Sequence, residues 1–192
     1  KIFNEYKIDQ VIHLAAFSDA NKSMSQKKKF LKNNLKSTEN LINCMKKVKV
    51  KKIIFSSTAA IYGNKNFKKS IKENFKQKVI NPYGKSKELS EKLIIKNSKN
   101  NYNYIILRFF NVVGKVHSRN FHDNKSMNLF DRILKKYKSK SYLNIYGNNF
   151  RTKDGTQIRD YIHVKDVSDA IYKLVLNINL KNQIFNIGNQ KG

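Results

Sequence analysis

Cysteine, proline and glycine are scarce in this sequence: one, one and seven of 192 residues. The lone thiol, Cys44, has no partner in the chain, so disulfide chemistry is not indicated. Cys44 falls on the apolar side of a predicted helix and is expected to be a buried structural thiol. A reducing cytoplasm fits. Long apolar runs are missing too. None reaches the length needed to span a bilayer, so neither a membrane span nor a signal peptide is expected. All seven glycines lie at position 63 or beyond.

Negative charge is also sparse. Thirteen acidic residues face 40 basic ones, for a net charge of +27. Such an excess invites a nucleic-acid reading. The kind of cation argues against it. Only Arg108, Arg119, Arg132, Arg151 and Arg159 are arginine, whereas base readers lean on arginine's bidentate fork. The lysines are spread along the whole chain among many asparagines and isoleucines, the imprint of an AT-rich genome rather than of a binding surface. Lys27-Lys-Lys29 and Lys46-Lys47-Val-Lys49 are read as a solvated helix face. No specific nucleic-acid partner is expected, only weak sticking at low salt.

What is present alternates along the chain. Val11-Ile-His-Leu-Ala-Ala16 is a short apolar run ending in small residues and predicts a buried parallel strand. From Phe30 to Val50 apolar residues recur at helical spacing (Leu31, Leu35, Leu41/Ile42, Met45), with lysines opposite. Lys52-Ile-Ile-Phe-Ser56 predicts the next strand. A loop with Gly63 runs to about Ile80, and a helix then runs from Tyr83 to about Asn97. Its Leu89, Leu93 and Ile94 take one side, while Lys85, Glu88, Glu91 and Lys92 are placed towards water. Tyr104 to Phe110 predicts a third strand. Strand, helix, strand, loop, helix, strand argues for an α/β fold with a parallel sheet and helices on both faces. After Asn111 the character changes. Lys115 to Ser126 is polar and irregular, Leu129 to Tyr137 reads as a short helix, and Tyr142-Leu-Asn-Ile-Tyr146 alternates and ends at Gly147. A loop then leads into Tyr161-Ile-His-Val164, a helix through Val167, Ile171 and Val175, and a closing run Ile184-Phe-Asn-Ile187.

The chemistry concentrates in two strings, Phe55-Ser-Ser-Thr58-Ala-Ala-Ile-Tyr-Gly63 and Asn81-Pro-Tyr83-Gly-Lys-Ser-Lys87. A bare Tyr-x-x-x-Lys means little here; chance supplies roughly two, and a motif needs its context. The second pair, Tyr161/Lys165, lacks the flanking pattern. The first has an apolar strand running into a Ser/Ser/Thr cluster, an Asn-Pro turn and a helix. Thr58, Tyr83 and Lys87 thus look like the hydroxyl, phenol and ammonium that move a proton off an alcohol. A phenol is a poor base at neutral pH, with a pKa of about 10. Lys87, on the same helix face, and a hydroxyl bonded to the phenolate are placed to lower it.

These strings resemble the extended short-chain dehydrogenase/reductases, and within them the 4-epimerases of UDP-sugars. Also in family order are His13-Leu-Ala-Ala16, Asn33-Asn34, Arg108-Phe-Phe-Asn111 and Asp154-Gly-Thr-Gln-Ile-Arg-Asp-Tyr-Ile-His-Val164, the last being the most discriminating. The resemblance implies a Rossmann-like parallel sheet, NAD as cofactor, a UDP-sugar as substrate and a homodimer in the intact parent. Its implied activity is inversion of C4 through a 4-keto intermediate, as in UDP-glucose/UDP-galactose interconversion. It implies catalytic roles for Thr58, Tyr83 and Lys87. It implies cofactor contacts from these three and from Ala15, Ala16, Phe17, Asn33 (at a helix start) and Phe110. It implies sugar-nucleotide contacts from Thr58, Tyr83, Asn111, Asn128, Leu129, Asn144, Ile145, Tyr146 and Arg159. Ser18 stands where many relatives carry a lysine.

Members open with a strand, a Gly-x-x-Gly-x-x-Gly turn and a helix that cradle the pyrophosphate. No such string occurs here, so the chain is read as an internal fragment, inactive by itself. Residues 1–114 are read as the second part of the NAD-binding domain and 115–158 as part of the substrate domain. Residues 159–188 are read as a return strand and helix on the first. Other readings stay open: a relative acting on UDP-arabinose, UDP-GlcNAc or UDP-glucuronate, a dehydratase or decarboxylase, or a non-catalytic remnant. Dehydratases carry acidic residues after the serine/threonine, where this chain has Ala59 and Ala60. No metal site is expected. His13, His117, His122 and His163 lack ligand spacing; His13 reads as a satisfied structural histidine, and His117 and His122 with Asp123 as an exposed polar loop.

Overall fold

The computed structural model describes residues 1–63, 70–114, 129–145, 147 and 149–190. In chain order these form α1 (Ile2–Glu5), β1 (Gln10–His13), α2 (Ala20–Ser25), α3 (Lys27–Lys47) and β2 (Lys52–Thr58). A 3-10 turn (Ala59–Tyr62) follows, then α4 (Pro82–Ser98), β3 (Asn103–Phe109), β4 (Asn111–Val113), α5 (Leu129–Lys138), β5 (Tyr161–His163), α6 (Val164–Leu176) and β6 (Gln183–Ile187). They fall into two compact units, Lys1–Phe110 with Ala170–Ile187, and Asn111–Asp169 with Gly188–Gly192.

The first unit holds a four-stranded parallel sheet in the order β1-β2-β3-β6. Every residue of β2 is buried, as a central parallel strand requires. Period-two alternation divides its side chains between two cores. Ile53 and Phe55, with Ile106 of β3, pack against Ile42, Met45, Ile94 and Tyr102 on the α3/α4 side. Ile54, Ile105 and Leu107 pack against Ile171, Leu174 and Val175 of α6. The Rossmann-like α/β sheet with helices on both faces is therefore as the sequence led us to expect.

Three local expectations are corrected. β1 is shorter than the apolar run and stands at the sheet edge, so Ile12 (43% exposed) and Leu14 (52%) meet solvent. In α3 the buried stripe is Phe30, Asn34, Thr38, Ile42 and Met45, and Cys44 is exposed. Two residues beyond Ile42 is a turn of about 200° around the helix, which puts Cys44 on the opposite face. In α4 Glu88 and Glu91 are buried, Glu88 between Lys85 and Lys92 at 2.7 and 2.6 Å. The start of that helix follows from its cap: Asn81 Oδ1 accepts from Gly84 N at 2.7 Å, and Pro82 occupies the first turn.

The C-terminus of α6 is held by side chains from the sheet. Lys52 Nζ donates to the carbonyls of Leu174 (2.6 Å) and Asn177 (2.7 Å), and Gln10 Nε2 to that of Val175 (3.0 Å). These are the carbonyls a helix leaves without internal partners.

In the second unit β4 and β5 form a short parallel ladder, Asn111 opposite Tyr161 and Val113 opposite His163. α5 exposes Leu129, Phe130, Ile133, Leu134 and Tyr137. Residues 141–145 alternate in sequence yet form no strand. Among the described residues no helix is long and apolar enough to cross a membrane.

Candidate active site

Thr58 closes β2 at the carboxyl end of the sheet, where ligands of open parallel sheets bind. Its Oγ1 accepts from Ala60 N at 3.2 Å and starts the 3-10 turn. Tyr83 lies in the first turn of α4, with the Thr58 hydroxyl near enough to its phenol to lower the phenol's pKa. Lys87 follows one turn later and is buried. The backbone of Tyr83 is fixed on both sides. Its N–H donates to Ser23 Oγ (3.2 Å), and its carbonyl accepts from Ser86 Oγ (2.7 Å). Ser86 in turn accepts from Asn34 Nδ2 at 2.8 Å. The same amide of Asn34 accepts from Phe17 N (2.9 Å) and donates to Phe17 O (3.0 Å). One buried asparagine thus ties the turn after β1 to the helix bearing Tyr83. Gly84 lets α4 approach the 3-10 turn: a Cβ there would stand 3.1 Å from Ala60 O and 3.1 Å from Val79 Cγ1.

The electrostatics differ from the sequence-based expectation. Burial raises the Tyr83 pKa above its ordinary value, with the nearby Thr58 hydroxyl opposing. Lys87 does not reverse this, because its ammonium is engaged elsewhere. Nζ donates to Ser56 O at 2.7 Å and lies 4.7 Å from the centroid of the Phe55 ring. Burial lowers Lys87 to about 8, and the nearby Glu91 carboxylate opposes that fall. His13 is buried, with Nε2 3.1 Å from Thr38 Oγ1, and burial followed by the charge of Lys87 lowers it to about 4. It is the satisfied histidine the sequence suggested.

Behind the triad lies a buried network absent from the sequence reading. Arg108 grips Glu91 with two arms, Nε to Oε1 at 3.1 Å and Nη2 to Oε2 at 2.8 Å. Ser57 Oγ also donates to Glu91 Oε1. Arg108 Nη1 reaches Tyr62 OH (2.8 Å) and Glu73 O (2.7 Å), and Tyr62 OH donates to Asn186 Oδ1 at 2.7 Å. Glu91 was assigned to water because it is charged. The signal that would have found it is the stripe Tyr83, Lys87, Glu91, Ile94, which recurs at helical spacing.

The remaining candidates divide between the two units. In the first, Ala15, Ala16 and Phe17 follow β1, with Ala15 and Phe17 exposed and the Phe17 ring 5.5 Å from that of Phe30. Asn33 is exposed inside α3 and not at a helix start; its side chain bonds Asn34 at 3.2 Å. Phe110 follows β3, its N–H donating to Ile187 O at 3.0 Å. In the second unit Asn111 bonds Asp160 O through Nδ2 at 2.9 Å. Arg159 is exposed and donates to Gln157 Oε1, while Asp160 takes the backbone N–H groups of Asn189 (2.7 Å) and Gln190 (2.9 Å). Leu129, Asn144 and Ile145 are exposed. Asn128 and Tyr146 lie outside the described residues, as do His117, His122 and Asp123. Lys165, from the discounted tyrosine-lysine pair, bonds Asp169 at 2.6 Å. Among the described residues no group of His, Cys, Asp and Glu is arranged to hold a metal.

A family model described as the NAD dependent epimerase/dehydratase family matches residues 1–188. The chain belongs to this epimerase/dehydratase family. It is 36% identical over 198 residues to a UDP-glucose 4-epimerase of Lacticaseibacillus casei, covering 100% of this chain and 60% of that protein. Among solved family structures, a UDP-glucose 4-epimerase from Stenotrophomonas maltophila with bound NAD and formylated UDP-arabinopyranose superimposes with a TM-score of 0.88. It is 27% identical, over 100% of this chain and 59% of that one. A Bifidobacterium longum UDP-glucose 4-epimerase in complex with NAD+ and UDP gives a TM-score of 0.83 at 32% identity, over 97% of this chain and 58% of that one. The chain therefore spans about 60% of the length of the epimerases it matches.

Proposed function

We propose that the full-length protein is an NAD-dependent epimerase that inverts C4 of a UDP-sugar, interconverting UDP-glucose and UDP-galactose. The observation that carries this reading is the Thr58 hydroxyl near enough to the Tyr83 phenol to lower its pKa, with buried Lys87 one turn along α4, at the carboxyl edge of a parallel sheet. Family membership and the epimerase relatives support it.

NAD, when bound, supplies a reversible hydride acceptor. The residues present fit its nicotinamide end. Small side chains follow β1 at Ala15 and Ala16, and the ammonium of Lys87, one turn from Tyr83 on α4, has a buried seat on Ser56. No Gly-x-x-Gly-x-x-Gly turn occurs in this sequence, so a pyrophosphate cradle is not assigned to these residues. Asn33 and Phe110 are proposed as further cofactor contacts, and residues 1–114 as part of the cofactor domain.

Tyr83 takes the proton of the sugar 4-hydroxyl and returns it after the 4-keto sugar has turned over. Thr58 holds the reacting oxygen by hydrogen bonding. Lys87 is proposed to favour the phenolate by its charge, although its ammonium here bonds Ser56 and burial keeps the Tyr83 pKa raised. Asn111, Asn128, Leu129, Asn144, Ile145, Tyr146 and Arg159 are proposed to hold the sugar nucleotide, Arg159 pairing its fork with diphosphate oxygens. A homodimer is proposed on the same basis. Dehydration is disfavoured, because Ala59 and Ala60 offer no acid after Thr58.

The test is UDP-galactose turnover by the full-length gene product with added NAD, beside Tyr83→Phe. Activity should fall about 10²–10⁴-fold in the variant, the range of a lost general acid-base group. A folded wild-type protein that turns over neither UDP-galactose nor another UDP-sugar would sink the proposal.

A further inference from the structure

We infer that Glu91, oriented by Arg108, is a positioning residue for the reaction proposed above: a single carboxylate fixes the strand end bearing Thr58 against the helix face bearing Tyr83 and Lys87. The inference rests on that functional reading for its meaning and on the following geometry for its substance.

Glu91 and Arg108 are each 2% exposed. A buried ion pair is no evidence of stability by itself, since well-packed apolar residues often serve as well. What sets this pair apart is where its remaining bonds go. Ser57, the neighbour of Thr58, donates its hydroxyl to Glu91 Oε1. Tyr62, which ends the turn after Thr58, takes Arg108 Nη1 at 2.8 Å, and the guanidinium carbon lies 5.2 Å from the centroid of its ring. Thr58 is therefore held between two anchors, Ser57 on the carboxylate and Tyr62 on the guanidinium. The carboxylate itself sits one turn beyond Lys87 and two beyond Tyr83 on α4. The two-armed grip of Arg108 fixes the plane of the carboxylate. Asn186 then links Tyr62 to β6 at 2.7 Å, and Glu73 Oε1 accepts from Asn186 N at 2.8 Å, so the turn is braced from the far side of the sheet as well.

The pair also bears on charge. The groups facing Lys87 are Glu91 on its own helix, Ser56 and the Phe55 ring on β2 and the neutral His13 on β1, with Arg108 behind Glu91. Glu91 is the one anion among them, and its charge works against the desolvation of Lys87. Removing it leaves the ammonium with Arg108 as an uncompensated neighbour. The Lys87 charge is then lost at lower pH.

The experiment uses the full-length protein with UDP-galactose and NAD. Glu91→Gln should lower kcat about 10- to 100-fold, the cost of a misplaced reacting group, with KM within about twofold. The alkaline limb of its kcat–pH profile should move to lower pH. Glu91→Asp and Arg108→Lys keep the charges but not the grip; kcat should fall while the limb stays. The paired variant Glu91→Leu/Arg108→Met removes both charges and guards against simple failure to fold. It should stay folded, yet exchange the amides of residues 56–62 and 83–88 faster than wild type. A folded Glu91→Gln with wild-type kcat and an unmoved limb overturns the inference, as does a folded paired variant with unchanged exchange. Absence of turnover in wild type would overturn the epimerase reading, and the exchange comparison would then decide the positioning role by itself.

Discussion

Beside the ammonium of Lys87 the folded chain keeps one neutral imidazole, His13. His13 is 7% exposed, and burial disfavours its charged form. Protonation is therefore resisted only in the folded state, and the unfolded chain binds the extra proton between pH 6.5 and about 4. This contribution is present in full above pH 6.5 and is lost as pH falls through that window. A depression from 6.5 to about 4 corresponds to about 3 kcal/mol. Urea unfolding of wild type should weaken by that order between pH 7 and pH 4, and His13→Gln should flatten the dependence. Equal slopes in the two proteins would show that His13 does not titrate this way. At this scale the places of Thr58 at a strand end and of Tyr83 and Lys87 on one helix were legible in the sequence, because a strand, a turn and a helix cap surround them. Glu88 and Glu91 were not. Charge reads as exposure, and only the folded chain shows that Arg108 and two lysines come to meet them.

Helices α3 and α4 join through polar side chains as well as apolar ones. Asn34 bonds Ser86 at 2.8 Å and Thr38 bonds Ser90 at 3.2 Å, all four buried. Apolar surfaces tolerate a slide; directional bonds do not, since a shifted pair leaves buried donors unsatisfied. The periodicity of leucines located α3 but missed this seam, because asparagine and threonine do not register as core residues. The strands β2, β3 and β6 were legible as apolar runs, whereas the edge position of β1 depends on partners that a run cannot reveal. The sheet grips α6 in the same directional way. Lys52→Met would leave the carbonyls of Leu174 and Asn177 without the ammonium that reaches them. We expect a loss of about 1–3 kcal/mol, the range for bonds to charged groups in part-buried sites. Urea midpoints measure it, and an unchanged midpoint would mean that water replaces the ammonium without cost.

Over the whole molecule the net charge of +27 sets the solution behaviour. Lysines on α3 such as Lys27, Lys28 and Lys29 are exposed, and like charges repel within a compact body. Thermal stability should therefore rise by a few degrees between about 0.02 and about 0.3 M salt as the Debye length shortens. A melting temperature that is flat or falls with salt would show that the lysines are spaced too widely to matter. Binding to nucleic acid, where seen at low ionic strength, should vanish over the same interval.

Gly84 has a consequence of its own. The gap between α4 and the turn after Thr58 admits a hydrogen atom but not a methyl group without a shift of a few tenths of an ångström, for an added Cβ would stand 3.1 Å from Ala60 O. Residue 84 thus works as a shim: its thickness, not its chemistry, determines how far apart the two hydroxyl-bearing elements rest.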